Sequence, residues 1–260
     1  MNERHTWTVT TADGPLVAVA LHAGHDLRPE VARHIRLSDA ERLREEDPFT
    51  PVWTEVAPTR VLVHQSRFEV DLNRPRERAV YVDPEQAWGL DVWASPLPAD
   101  VIDRSLDAWE QFYAMFEALL EEKRRHYGRF LVYDIHSYNH RRDGPAAPTA
   151  DPVCNPDVNV GTGSMDRTRW APLVDRFIAD LRAFEMDGAA LDVRENVRFR
   201  GGYLSQFVHE HFPASGCALA IEFKKTFMDE WTGDPHPARV ARLKNALAST
   251  VPGVLRELER

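Results

Sequence analysis

Phe130-Leu131-Val132-Tyr133-Asp134-Ile135-His136-Ser137 is a short apolar run that stops on a histidine. Its length and its valine and aromatic content read as a buried strand rather than a helix. Two other runs share this form. Leu16 to Leu21 (LVAVAL) ends at His22, and Ala218 to Lys224 (ALAIEFK) carries Glu222 between Ile221 and Phe223. In an open α/β sheet the carboxyl ends of strands deliver side chains into the ligand crevice. Two histidines and a carboxylate at such positions place the chemistry where the fold would put it.

Outward from these runs, helical and extended patterns alternate. Val61 to His64 begins another β-like stretch, Phe68 to Leu72 alternates apolar and charged residues, and Ala79 to Val82 reads as a further short strand. Val101 to Tyr127 spaces Ile102, Leu106, Trp109, Phe112, Phe116, Leu119 and Leu120 as one face of a long helix, with Gly128 as its stop. Ser137 to Ser164 contains four prolines and reads as a long structured loop, a type that is often functional. A helix follows over 169–184, a strand over 191–197, and a short helix over 203–211, opened by Gly201-Gly202. The terminal helix opens at Asp234, Pro235 and Pro237 and runs to about Leu258. No repeat or internal boundary interrupts this alternation, which predicts one α/β layer domain over residues 1–260.

The composition excludes several classes of function. With 32 basic and 41 acidic residues the net charge is −9, so nucleic acid and anionic membranes are not expected partners. No apolar run approaches the ~20 residues of a membrane span, and the polar start, Met1 to Thr10, lacks the apolar core of a signal peptide. Cys154 and Cys217 form no CxxC and are expected to be reduced thiols. A cytoplasmic protein, with oligomerisation left open, is the expectation. No Gly-Lys-Ser/Thr follows Gly161-Thr162-Gly163-Ser164, and no G-x-S-x-G surrounds Ser66 or Ser137, which sets aside a P-loop and a serine hydrolase.

His22 and His25 sit three apart after a strand, and His136 follows another strand two residues beyond Asp134, which could orient it. Two histidine-bearing strand ends predict one shared zinc site, with His25, Asp26 or an acid of Glu45-Glu46-Asp47 as third ligand. Arg67 and the Asn73-Arg74 pair surround the alternating stretch. Guanidinium and amide donors suit a carboxylate, although salt bridges of a charged edge strand would use the same residues. Asp71 reads as a holder of Asn73 or Arg74. Glu222, alone in an apolar strand, is costly to ionise there, and a raised pKa suits a general base.

In order along the chain, S-R-F-E-V-D-L-N-R-P, D-I-H-S, P-D-V-N-V-G-T, R-G-G-Y-L and L-A-I-E-F resemble the N-formylglutamate amidohydrolase family over roughly residues 16–230. More distantly, the pattern is similar to zinc carboxypeptidases and the aspartoacylase group. The resemblance implies a three-layer α/β/α fold with a mixed central sheet, carboxypeptidase-like (phosphorylase/hydrolase-like), and one zinc ion. By position it implies His22, His25 and His136 as metal residues, with His25 standing where the carboxypeptidases carry a glutamate. That departure removes one negative charge, which Glu46 or Asp47 could restore. Glu222 matches the general base. Arg67 matches a catalytic, carbonyl-polarising position, and Arg67, Asn73, Arg74 and Tyr203 are taken as substrate-binding. The implied reaction is hydrolysis of an N-formyl or other N-acyl amide of an acidic amino acid, N-formylglutamate giving formate and glutamate. Two alternatives are a zinc hydrolase of another N-acyl amino acid or short peptide, and a metal-free binder of small dicarboxylates.

Overall fold

Alternating apolar residues along three central strands build two cores, one on each face of a sheet. In the computed structural model, which describes residues 6–260, Leu131, Tyr133 and Ile135 face one core and Phe130 and Val132 the other. Met1–His5, the first half of the polar start taken to lack a leader, lie outside the described residues.

The strands are β1 (Trp7–Thr10), β2 (Leu16–Ala20), β3 (Thr59–Val63), β4 (Phe130–Tyr138), β5 (Val158–Gly161), β6 (Glu185–Met186), β7 (Ala189–Ala190), β8 (Val193–Glu195) and β9 (Gly216–Lys224). The helices are α1 (Pro29–Ala32), α2 (Asp39–Glu45), α3 (Thr50–Thr54), α4 (Ala99–Tyr127), α5 (Ala171–Arg182), α6 (Tyr203–His211) and α7 (Pro237–Leu258). Seven strands form one sheet in the order β1-β3-β2-β4-β9-β5-β8, and β6 and β7 make a separate two-stranded ribbon. β3, β2, β4 and β9 run parallel, whereas β1 is antiparallel to β3 and β5 to β9. The sheet is therefore mixed. Helices α3, α5 and α7 pack on one face and α4 and α6 on the other, giving the expected three layers.

The strand order fixes where a site can form. From β2 the chain crosses to β3 on one side, while β4 and β9 lie on the other. Such a reversal opens a crevice at the carboxyl ends of the strands. His22 follows β2, and His136 and Glu222 are direct register partners on β4 and β9.

Several sequence expectations need correction. Phe68 to Leu72 is a chain of turns, closed by Glu69 N–H to Ser66 O (3.0 Å) and Arg74 N–H to Asp71 O (3.1 Å). Phe68, Val70 and Leu72 are all buried, so burial in a turn imitates strand alternation. Ala79 to Val82 is also not a strand. The long loop after β4 hides β5, and β4 itself continues through His136 to Tyr138. Among the described residues, no helix is long and apolar enough to cross a membrane. Both cysteines are free thiols, Cys154 exposed and Cys217 buried.

Candidate metal and amidohydrolase centre

His22, Asp47 and His136 are buried, and each offers one ligand atom within 4.8 Å of the others. Hydrogen bonds determine which atoms these are. His22 Nε2 lies 2.7 Å from Asp71 Oδ1, and His136 Nε2 lies 2.7 Å from Asp134 Oδ1. A carboxylate only accepts, so both Nε2 atoms donate. The two Nδ1 atoms are left facing the same oxygen, Asp47 Oδ2, at 3.5 Å from His22 and 3.1 Å from His136. Imidazoles oriented by carboxylates around a further carboxylate form a donor set suited to zinc, with an outer ring of acids that raises the basicity of the ligands.

Electrostatics tie this trio together. Burial alone would raise the Asp47 carboxyl, but hydrogen bonds from His136 and His22 hold it well below the usual range. Burial works against a charged His136, yet the Asp134 carboxylate keeps its pKa well above the ordinary value. A proton on the His136 ring occupies the place of a cation, so metal binding here would release it.

Asp47 comes from the loop after α2. Ser38 opens that helix with a capping box to Glu41, and the helix ends at Glu45. Lys225, fully buried, then donates its Nζ to the carbonyls of Arg44 (2.5 Å) and Glu46 (2.7 Å). Ser137 Oγ donates to Asp47 Oδ1 at 2.9 Å. Both residues hold Asp47 in place, and neither was singled out for that role in the sequence.

His25 is not part of the trio. Gly24 and Asp26 bridge to Ser66 and Gln65, so residues 24–26 run extended beside residues 64–66. Only a glycine fits there, since a Cβ at position 24 would stand 2.1 Å from the His64 carbonyl carbon. His22 lies in the turn after β2, whereas His25 lies within this extended segment. His25 is 38% exposed against 3% for His22, and it binds Glu46 Oε2 (2.5 Å) and Arg42 (2.9 Å). Asp26 is exposed, and Glu46 is spent on His25 and Ser66. Of the candidates for third ligand, Asp47 alone stands with the two histidines.

A cavity of about 340 Å³ opens over this trio. Arg67, Asn73, Arg74 and Glu222 all line it. Burial pushes the Glu222 carboxyl up to about 7, with His136 opposing and Asp47 and Asp134 reinforcing the rise. Arg67 reaches Asp71 Oδ2 (2.8 Å) and lies with its guanidinium carbon 4.6 Å from the centre of the exposed Trp88 ring. Arg74 donates to Gln86 O (3.1 Å) and keeps a longer contact, 3.7 Å, with Asp71. The Asn73 amide lies 3.4 Å from His136 Nε2.

Tyr203, in contrast, does not line the cavity. Its ring packs against Trp109 (5.5 Å) and Tyr113 (5.1 Å), and its backbone N–H donates to Asn73 O at 3.1 Å. The structure therefore places Tyr203, expected from the sequence to contact substrate, in the aromatic core beside the site. The glycines before it approach the site instead, and a Cβ on Gly202 would stand 2.4 Å from the Asn73 side chain.

Asp71 joins the two halves of the site. Fully buried, it accepts from His22 and from the Asn73 backbone N–H (2.9 Å) through Oδ1, and from Arg67 and the Tyr81 hydroxyl through Oδ2. Burial opposes its charge, but Arg67 and His22 hold its carboxyl well below the usual range. Asp71→Asn replaces an acceptor with an amide that cannot serve all four donors. Metal affinity should fall about 10- to 100-fold, as for other outer ligand partners, with KM rising as Arg67 loses its anchor. Equilibrium dialysis against zinc checks this, and an unchanged affinity would remove Asp71 from the account.

Comparison with known proteins agrees with this architecture. The family model for N-formylglutamate amidohydrolase matches residues 14–228. Among solved structures, the N-formylglutamate amidohydrolase from Ralstonia eutropha JMP134 superposes with a TM-score of 0.75 at 16% identity, covering 98% of both chains. The gene product Atu2144 from Agrobacterium tumefaciens superposes with a TM-score of 0.66 at 20% identity, covering 96% of both. At these identities the superpositions show the fold. No curated protein sequence matches the chain. The chain belongs to the N-formylglutamate amidohydrolase family, whose members are hydrolases of amide bonds.

Proposed function

We propose that this chain is a zinc-dependent amidohydrolase that removes the N-formyl group of an acidic amino acid, N-formylglutamate giving formate and glutamate. The observation that carries this reading is the convergence of the two histidine Nδ1 atoms on Asp47 beside a carboxyl pushed up to about 7. Zinc, when bound to His22, Asp47 and His136, supplies Lewis acidity that polarises a carbonyl and makes water more acidic. Asn73 and Arg74 hold the substrate carboxylate. Arg67 directs its guanidinium at charge that develops on the carbonyl oxygen. Glu222 accepts the proton of the attacking water and passes it to the departing nitrogen, and the acid proton of the formyl product also ends on the amine, so formate and an ammonium group leave with no net proton retained on the carboxyl.

This assignment sets the pH dependence. Glu222 must be ionised to accept a proton, so kcat/KM should fall as pH drops through its pKa. Burial pushes that carboxyl up to about 7, and a cation bound next to it would favour the ionised form. The acid limb should therefore lie below pH 7 in the zinc-loaded protein. A pH–rate profile that stays flat down to pH 4.5 would contradict Glu222 as base. The function itself is tested by formate release from N-formyl-L-glutamate. Release that a chelator stops and zinc restores supports the reading. Release that a chelator leaves untouched removes the metal from it, and no release from zinc-loaded protein moves the substrate elsewhere.

A further inference from the structure

Among the described residues, four that are not glycine have positive φ: Phe49, Trp88, Asp187 and Asn196. Asp187 and Asn196 are of the types that tolerate a left-handed backbone. Phe49 packs against the core, its ring 6.2 Å from that of Phe227. Neither reason serves Trp88, an exposed aromatic at φ 56° and ψ 28°. A bulky side chain is strained there, and such strain persists only where the surroundings impose it. Glycine would adopt this conformation freely. Burial therefore does not account for the indole, and the backbone disfavours it.

Local hydrogen bonds impose the strained step. A single 3-10 turn, Pro84–Ala87, precedes Trp88. Gln86 Oε1 accepts from the Val82 and Asp83 backbone N–H groups (2.8 and 3.4 Å), and Gly89 N–H donates to Pro84 O (2.8 Å). Arg74 donates to Gln86 O, which ties the turn to the site. From this turn the Trp88 ring reaches the catalytic cavity and covers the Arg67 guanidinium, whose carbon stands 4.6 Å from the ring centre. Arg142 lies farther from the ring, at 5.8 Å, and already pairs with Glu45.

Arg67 itself is fixed in its plane by three bonds. Nε donates to the Tyr81 hydroxyl (3.3 Å), Nη1 to Glu45 O (3.3 Å) and Nη2 to Asp71 Oδ2 (2.8 Å). A guanidinium carries five N–H groups, so one on each terminal nitrogen is left over. A ring over its face attracts the cation and excludes water without consuming an in-plane donor. A carboxylate in the same place would consume donors and cancel the charge.

We infer that Trp88 is a positioning residue for Arg67: its ring holds and desolvates the guanidinium face and leaves the two remaining N–H groups for the reacting carbonyl. The inference rests on the function proposed above, in which Arg67 meets the charge that develops on that oxygen. The strained backbone at Trp88 is what this placement of the ring requires.

The test measures formate release from N-formyl-L-glutamate by the wild type, W88G and W88F. In W88G kcat should fall about 3- to 30-fold, the range of a cation–π contact. KM should change little, because the lost interaction is made in the transition state. W88F keeps a ring and should recover most of the loss. W88G should melt no lower than W88F, since glycine relieves the strain at this φ, so its lost turnover is not lost folding. A second readout needs no turnover. In protein carrying isotope-labelled arginine, the Arg67 Nε–H magnetic resonance signal, assigned by its loss in R67K, should shift in W88G and return toward its position in W88F. An unmoved signal, an unchanged kcat, a change confined to KM, or a W88F no better than W88G overturns the inference while leaving the amidohydrolase intact. If the wild type releases no formate but the signal follows Trp88, the hydrolase reading fails and Trp88 stands as the residue that fixes Arg67. Neither turnover nor a responding signal overturns both.

Discussion

Glu222→Gln should lower turnover by about 10²- to 10⁴-fold, the usual worth of a positioned general base, while the protein keeps its metal. Glutamine has the shape of glutamate and can still hydrogen-bond, but it cannot take up a proton at neutral pH. Glu222 is paired in register with His136 and is not one of the three converging ligand residues, so the substitution leaves the donor set intact. Formate release and zinc content measured on one preparation check both halves. Activity within a few-fold of wild type would assign the proton transfer to another group. Lost activity with lost zinc would instead make Glu222 part of the metal site.

Asp47→Ala should weaken zinc binding by more than the 10- to 100-fold expected of an outer partner such as Asp71, because it removes a ligand and the negative charge that both histidines face. His25→Ala should leave zinc affinity unchanged, since His25 is turned toward Glu46 and Arg42. Asp47→Asn preserves shape and the Ser137 contact, so a metal loss shared by Ala and Asn cannot be attributed to misfolding. Equilibrium dialysis on all three variants tests the ligand set. Strong loss in His25→Ala with none in Asp47→Ala would reverse the assignment.

The contrast between those residues shows what the sequence could and could not convey. His22, His136 and Glu222 were legible because each lies on or directly after an apolar run whose strand character needs no tertiary information. Their meeting point follows from parallel pairing of β2, β4 and β9. Asp47 was harder, being 25 positions after His22 in an acidic stretch that reads equally well as surface. The capping box Ser38 to Glu41 is compatible with a short helix ending at that stretch, but all three acids are buried, and only tertiary contacts, such as that of Ser137 with Asp47, set Asp47 rather than Glu45 or Glu46 beside the histidines. His25 stands apart from His22 because the turn after β2 gives way to an extended segment at Gly24. The conformation there depends on Gly24 lying against His64, a long-range contact. Phe68, Val70 and Leu72 misled for a related reason, since their burial records packing rather than β geometry. Tyr203 lies in the family motif, yet its ring belongs to the aromatic core with Trp109 and Tyr113.

The proposed chemistry requires one ion held by His22, Asp47 and His136. The most direct measurement is an anomalous-scattering map at the zinc edge from crystals of zinc-loaded protein. The account predicts a single strong peak bound by His22 Nδ1, His136 Nδ1 and Asp47, with Asp71 and Asp134 still on the opposite ring nitrogens. A peak bound by His25, or no peak at this trio in protein that turns over substrate, would contradict it.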